Sequence, residues 1–305
     1  PIDKFRPSDK EIQRALKKKK GSNLIYFGPG VHNLPNDTLF VPSGTTVYID
    51  GGARVYGNIF TEGAHDVNIF GRGEVHPDGR GAGVWVRRSK NVRIDGIVVS
   101  QLPIGQCDSV ELTNVKSISY YGWGDGMDVF SSSNVILDGV FCRNSDDCAA
   151  VYASTQGFKG GSNNVLVKNA TLWADVAHPI NIGGHGDPNG MDTVQNVTFR
   201  NIDILDQAEK QIDYQGCLAI NPGDNTLVRN ITFENIRIED FRNGQLVNFR
   251  ISFNPKYCVS TGRGIQNVLV KDVTYNGSGE NLSIIAGLSL IHISEPTRHS
   301  LISYA

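Results

Sequence analysis

Four aspartates fall in two short clusters of the 305-residue chain: Asp125 and Asp128 in WGDGMDVFSSSNV, then Asp146 and Asp147 in CRNSDDCAAVY. Asp125 and Asp146 are 21 positions apart, close to one turn of a minimal three-strand coil. Stacked coils would bring them to neighbouring rungs, roughly 5 Å apart at the backbone. Carboxyls crowded in this way disfavour each other's ionisation, so at least one holds its proton. A proton donor beside an ionised base is what displacement of a glycosidic oxygen by water requires. An isolated Asp-Gly is ordinarily a turn; two acidic clusters one coil apart, with Trp123 and Tyr152 alongside, read as chemistry. Trp123 and Tyr152 could stack on sugar rings and Asp128 could contact substrate, although a single aromatic more often serves packing.

The elements that must position these groups show in an internal repeat. DVNIFG from Asp66, NVRIDG from Asn91, NVKSIS from Asn114, NVILDG from Asn134, NVLVKN from Asn164, NVTFRN from Asn196, NITFEN from Asn230 and NVLVKD from Asn267 are variants of one unit. Each opens on Asn or Asp, which tolerate left-handed backbone angles, and then alternates apolar with polar residues, the mark of a strand with one buried face. The successive starts predict eight coils of three short strands, with surplus residues looping out at the sides. The fold expected is all-β, a parallel β-helix. No amphipathic helices lie between the strands, which argues against an α/β barrel. The one helical signal, Ser8 to Lys19, carries Ser8 as N-cap and Glu11 for a capping box; this helix is expected to cap the first coil and cover its open edge. The expected organisation is a cap helix and lead-in over 1–22, a β-helix domain over 23–287 and a tail over 288–305.

Composition narrows the function. The balance of 39% hydrophobic and 20% charged residues is that of a globular protein. The 29 Lys and Arg nearly cancel the 31 Asp and Glu, so no basic field points to nucleic acid. No apolar run is long enough to span a bilayer. Five cysteines, Cys107, Cys142, Cys148, Cys217 and Cys258, lack metal-ligand spacing and read mostly as buried thiols, with a Cys142–Cys148 pair open if the protein is exported. Asn169, Asn196, Asn230, Asn276 and Asn281 match the glycosylation acceptor pattern, and most coincide with the repeat and read as turns. The segment LSLIHISEPTR from Leu288, with ISYA from Ile302, reads as translated sequencing-adapter DNA, so 288–305 is set aside from functional reasoning, and the chain is expected to be truncated at both ends.

GDGMDVFSSSNV, then NSDDC, then HPINIG from His178 to Gly183 resemble the polygalacturonase-type glycoside hydrolases of family 28, which are right-handed parallel β-helices cleaving pectin with inversion. The likeness of architecture spans roughly residues 60 to 275, and the specific motifs occupy 123–183. The resemblance implies that Asp125 and Asp147 activate the attacking water, that Asp146 is the general acid, and that His178 lies beside the acid and orients it or the substrate. It implies no metal and no cofactor, a carbohydrate partner, a monomer, and a secreted or periplasmic location. His185, between glycines in GGHGD, is a second candidate for the family's histidine or a substrate contact, and reads more simply as a loop residue.

The sequence departs from the family pattern in three places. Trp123-Gly124 stands for Asn-Thr, and Ala177-His178-Pro179 for Gly-His-Gly. Where the family carries Arg-Ile-Lys to hold the substrate's carboxylate, this chain has Leu218, Ala219 and Ile220, which cannot replace a Coulomb partner. Arg250-Ile251-Ser252, Lys210 and Arg242 are other cations nearby in sequence. The sugar expected at the cleavage point is therefore not galacturonate, and a neutral glycan is credible, as for the similar β-helix hydrolases of glucans in family 49. Two other readings stay open: a calcium-dependent polysaccharide lyase using the same aspartates as ligands, and a glycan-binding β-helix without catalysis. For an inverting pair the acid and base carboxyls are expected about 6.5–9.5 Å apart, and a shorter separation would suggest a retaining mechanism.

Overall fold

A computed structural model describes residues 3–17, 23–211, 214–251, 253–278 and 281–287. The chain winds into a right-handed parallel β-helix of ten coils, each contributing one strand to each of three parallel sheets. The first sheet starts at Leu24–Phe27 and ends in the first half of Gly264–Tyr275; the second takes the strand following each of these; the third runs from the end of Gly30–Phe40 to Ile284–Ala286. The segment 288–305, set aside on sequence grounds, lies outside the described residues.

Period-two alternation puts one aliphatic side chain per strand inside, and parallel register aligns these into columns. In the first sheet Val47, Ile69, Ile94, Leu112, Leu137, Val167, Phe199 and Phe233 succeed one another rung by rung, each no more than 1% exposed. Burying each such side chain contributes about 1.5–3 kcal/mol. In the last coil the inward Val268, Val270 and Val273 are only partly covered.

The left-handed turn residues behave as the repeat implies. Asp66, Asn91, Asn134, Asn164, Asn196, Asn230 and Asn267 all have φ between 53 and 57°. Their side chains bond rung to rung, as in Asn164 Nδ2 to Asn134 Oδ1 at 2.7 Å and Asn230 Nδ2 to Asn196 Oδ1 at 3.0 Å. Asn230 thus spends its amide in the ladder, and Asn196 accepts that bond while donating to Asn163 Oδ1 at 2.8 Å, as the turn reading expects. Asn114 departs from expectation: it turns between the first and second sheets of a coil whose first-sheet strand is Asp108–Thr113, with Ser109 (φ 60°) in the ladder position. The two N-terminal coils also escaped the repeat, because Leu24–Phe27 follows Asn23 but is apolar throughout, and Thr46–Ile49 follows Gly44-Thr45 rather than Asn or Asp.

The N-terminal helix spans Asp9–Leu16, with the Ser8 and Glu11 capping box formed and Ile12 buried, and it packs on the first strand as a cap. All five cysteines are free and buried, so the Cys142–Cys148 pair is not formed. No described helix is long and apolar enough to cross a membrane.

Phe233 lies between Phe199 and Phe249, with centroids 5.8 Å away on either side. Phe233→Ala is expected to cost about 3–5 kcal/mol, read as a lowered urea midpoint; a change under about 1 kcal/mol would contradict column packing as the main source of stability.

Candidate active site

The acids sit where each coil enters its third-sheet strand. The register pairing Val129 with Val151 also brings Asp125 opposite Asp147, and the register pairing Ala149 with Ile180 brings Asp147 opposite His178. Backbone bonds continue the ladder through this corner: Gly126 N to Asp147 O at 2.7 Å, Met127 N to Cys148 O at 2.9 Å and Cys148 N to His178 O at 2.8 Å. Only glycine fits at 126, since a Cβ there would lie 2.2 Å from the Cys148 carbonyl. Buried Asn144 anchors the corner by donating to Ser117 Oγ, Ser119 Oγ and the Asp125 carbonyl at 3.0–3.1 Å.

Asp125, Asp146 and Asp147 each turn one carboxylate oxygen to within 4.8 Å of the others. The acids predicted from sequence thus form one cluster, with nearest oxygens closer than the expected 6.5–9.5 Å and at the spacing associated with retention, because Asp125 and Asp147 are one rung apart and Asp146 and Asp147 adjoin in the chain. They line a cleft of about 220 Å³ together with Trp123, Asp128, Tyr152, His178 and His185. The three oxygens are close enough to share one cation.

Asp147 is held by four donors: His178 Nδ1 at 2.7 Å, His178 N at 3.0 Å, Tyr152 Oη at 2.6 Å and Asn181 Nδ2 at 2.8 Å. Burial alone would raise its pKa, but the charge and hydrogen bond of His178 and the bonds from Tyr152 and Asn181 bring it to about 2. His178 faces an acceptor at each ring nitrogen, Asp147 and the Tyr214 carbonyl, so both nitrogens carry protons. Against the lowering effect of burial, Asp147 raises the imidazolium's pKa to about 9. Asp146, by contrast, is pushed up to about 7 by burial and by the Asp147 charge. Asp125 and Asp128 are also raised well above the ordinary range, first by burial, then by Asp146 at Asp125 and by Asp125 at Asp128. One aspartate is therefore held ionised among neighbours that keep their protons.

Several expectations change in detail. His178 hydrogen-bonds Asp147 rather than Asp146, because it occupies Asp147's rung position one coil on. Tyr152 offers no free face to a sugar: it stacks on Phe130 at 6.0 Å, bonds Asp147, and receives His185 edge-on at 5.0 Å. Trp123 is 63% exposed at the rim, with Lys256 Nζ 5.6 Å from its ring centre. His185 lines the cleft, and burial lowers its pKa. Leu218, Ala219 and Ile220 are buried in a third-sheet strand. Arg242 is tied to Asp206 at 2.5 Å, and neither it, Lys210 nor Arg250 lines the cleft; Ser252 lies outside the described residues. Sequence reading missed Asn181, Glu209, Gln211, Tyr214 and Tyr257, which also line the cleft. Asn181 stands inside the quoted HPINIG, at an outward strand position; the others sit on connections without periodicity.

These shifts fix how stability depends on pH. Asp147, depressed from 3.8, stabilises above about pH 4 and loses that contribution as pH falls toward 2. His178, raised from 6.5, stabilises below that pH and loses its contribution as pH rises through 9. Asp146, raised from 3.8, favours the fold at low pH and loses that effect as pH rises through 7. The melting temperature should therefore peak near pH 4–5 and decline toward pH 9, and Asp146→Asn should flatten the decline between 4 and 7; identical profiles for the two proteins would refute the assignment.

The glycosyl hydrolases family 28 model matches residues 73–287. Among curated relatives, a polygalacturonase of Juniperus ashei is 25% identical over 73% of this chain and 42% of its own length, and a probable endo-xylogalacturonan hydrolase A of Neosartorya fischeri is 29% identical over 54% and 38%. The chain thus spans about two fifths of the length of these relatives. Two solved structures share its fold at 16% identity: the Yersinia enterocolitica family 28 exopolygalacturonase (TM-score 0.72, covering 90% of this chain and 64% of that one) and the Aspergillus tubingensis endo-xylogalacturonan hydrolase (0.56, covering 91% and 84%). With the family pattern matched over most of its length and the aspartates gathered in one cleft, the chain belongs to the glycosyl hydrolases of family 28.

Proposed function

We propose that this protein hydrolyses a glycosidic bond with inversion, with Asp146 as general acid and with Asp147 and Asp125 holding the attacking water. The observation that carries the reading is the contrast between adjacent residues: Asp147 held ionised near pKa 2 by four donors, and Asp146 pushed up to about 7. A proton donor of that pKa is loaded at weakly acidic pH and gives up its proton readily. His178 is a positioning residue, fixing Asp147 and balancing its charge. Separation alone would suit a retaining pair, so the inverting reading rests on the family 28 match, with the water placed between Asp125 and Asp147.

The charge of the cleft supports a substrate without a carboxylate at the cleavage point. Asp125, Asp128, Asp146, Asp147 and Glu209 line it, and among the described lining residues there is no Lys or Arg. A uronate would meet five acids there; the His178 imidazolium is already engaged by Asp147 and the Tyr214 carbonyl, and the Lys256 ammonium stands at the rim beside Trp123 rather than at the acids. Pectin-type hydrolysis, named for the relatives, is therefore modified here toward a neutral glycan. A calcium-dependent lyase would use the compact trio as ligands, but it needs an Arg or Lys as base, and those same lining residues include neither; the one imidazolium among them, His178, has both ring nitrogens engaged. Residues 23–287 are read as the catalytic β-helix. The protein is read as an exported monomer that takes carbohydrate and no nucleic acid.

Asp146→Asn should lower kcat by about 10²–10⁴-fold, and wild-type activity should fall as pH rises through about 7, where Asp146 loses its proton. NMR of the first product should show the inverted anomer, and EDTA should leave the rate unchanged. A retained anomer, an unsaturated product absorbing in the ultraviolet, or full activity in Asp146→Asn would each overturn the reading.

A further inference from the structure

We infer that the cleft accepts one terminal sugar, so that the protein acts from a chain end; this rests on the hydrolase reading above. An open groove would continue along the outward face of the third sheet, past the acids toward both ends of the solenoid. It is blocked in both directions. Toward the N-terminal coils, the row through Tyr152 and Phe130 reaches Gly105. There the tight turn Thr155–Phe158 folds Phe158 over the glycine, so closely that a Cβ at 105 would lie 2.3 Å from the ring. Phe158 is 2% exposed and packs between Trp85 and Phe130, at 6.5 and 6.2 Å. The turn is fastened by Arg88 Nη2 to Gly157 O at 3.3 Å and by Gly160 N to Ser154 Oγ at 2.8 Å, and its Thr155 and Gln156 form the cleft wall.

Toward the C-terminal coils, the floor row runs from Asn181 to Ala219 and Asn248, and the last two are fully covered. The wall on this side is braced by Gln211 Nε2 to Tyr257 Oη at 3.1 Å and by the edge contact of Tyr214 with Tyr257 at 5.7 Å. It is also tied to the catalytic floor, because the Tyr214 carbonyl is the acceptor for His178 Nε2. Between the two walls lie about 220 Å³, less than the ~300–1,000 Å³ of clefts that enclose drug-sized ligands. That space suits one ring, with the rest of the glycan leaving through the mouth beside Trp123.

The test uses linear glucan, rhamnosyl and pectic oligosaccharides from dimers to long chains, with products followed by mass spectrometry from the first minutes. The expected result is loss of one sugar at a time from one end, and no action on a cyclic glucan that lacks ends. Early internal fragments, or cleavage of the ring, would overturn the inference. Phe158→Ala, which loosens the N-terminal wall, should let internal fragments appear. A binding arm with Asp146→Asn separates this inference from the hydrolase reading. Here a dimer should bind within about twofold of a long chain, and chemical blocking of one chain end should weaken binding by at least about tenfold. Affinity that climbs steadily with chain length would overturn the single-sugar cleft even if hydrolysis holds. Tight binding of dimers with no hydrolysis by the wild type would leave the cleft standing and remove the reaction, and failure of every oligosaccharide to bind would remove both.

Discussion

The structure depends on in-register parallel stacking at the corner where each coil enters the third sheet. Strand spacing of ~4.8 Å is a property of the backbone ladder, and here the ladder extends past the strands into the turns through Gly126, Met127 and Cys148. Side chains at equivalent positions are therefore held about one rung apart whatever their charge. Asp125, Asp147 and His178 occupy one such file. Two acids and a cation stand in line because the hydrophobic columns beneath them are aligned, and the repulsion between the acids is resisted by the buried aliphatic core.

That enforced proximity divides the protons. Like charges at this distance in a partly dry cleft cannot all be expressed, and the environment decides which one is. Asp147 has four donors, one of them the buried imidazolium; Asp146 has burial and the field of Asp147. The same arrangement makes Tyr152 and Asn181 more than lining. Asn181 donates both to Asp147 and to Tyr152 Oη, so the donors that keep the carboxylate charged also hold each other in place.

Much of this was legible in the sequence, for identifiable reasons. Alternation after a left-handed Asn or Asp is dictated locally, so most coils and the aspartate cluster could be read from residue type and spacing. Asn114 misled because the same turn chemistry serves the bend between the first and second sheets. That His178 bonds Asp147 is not legible in the sequence, because motif order along the chain does not say which side chain a rung places opposite; the pairing of Ala149 with Ile180 does. Glu209, Tyr214 and Tyr257 were invisible because they lie on connections whose path is set by packing against distant coils, as in the contact of Tyr214 with Tyr257.

The bends between sheets are unequal. The bend from first to second sheet is short in every coil from Asp66 onward, passing through one or two residues such as Asn169, Asn201 or Asn235. The two bends flanking the third sheet range from a couple of residues to long excursions such as those carrying Phe158 and Tyr214. The solenoid thus has a uniform spine along one edge and two variable margins bordering the face that carries the acidic cleft. Because the acids themselves stand on these margins, the length and composition of the segments beside them set what can enter the cleft, while the aliphatic columns beneath keep their register.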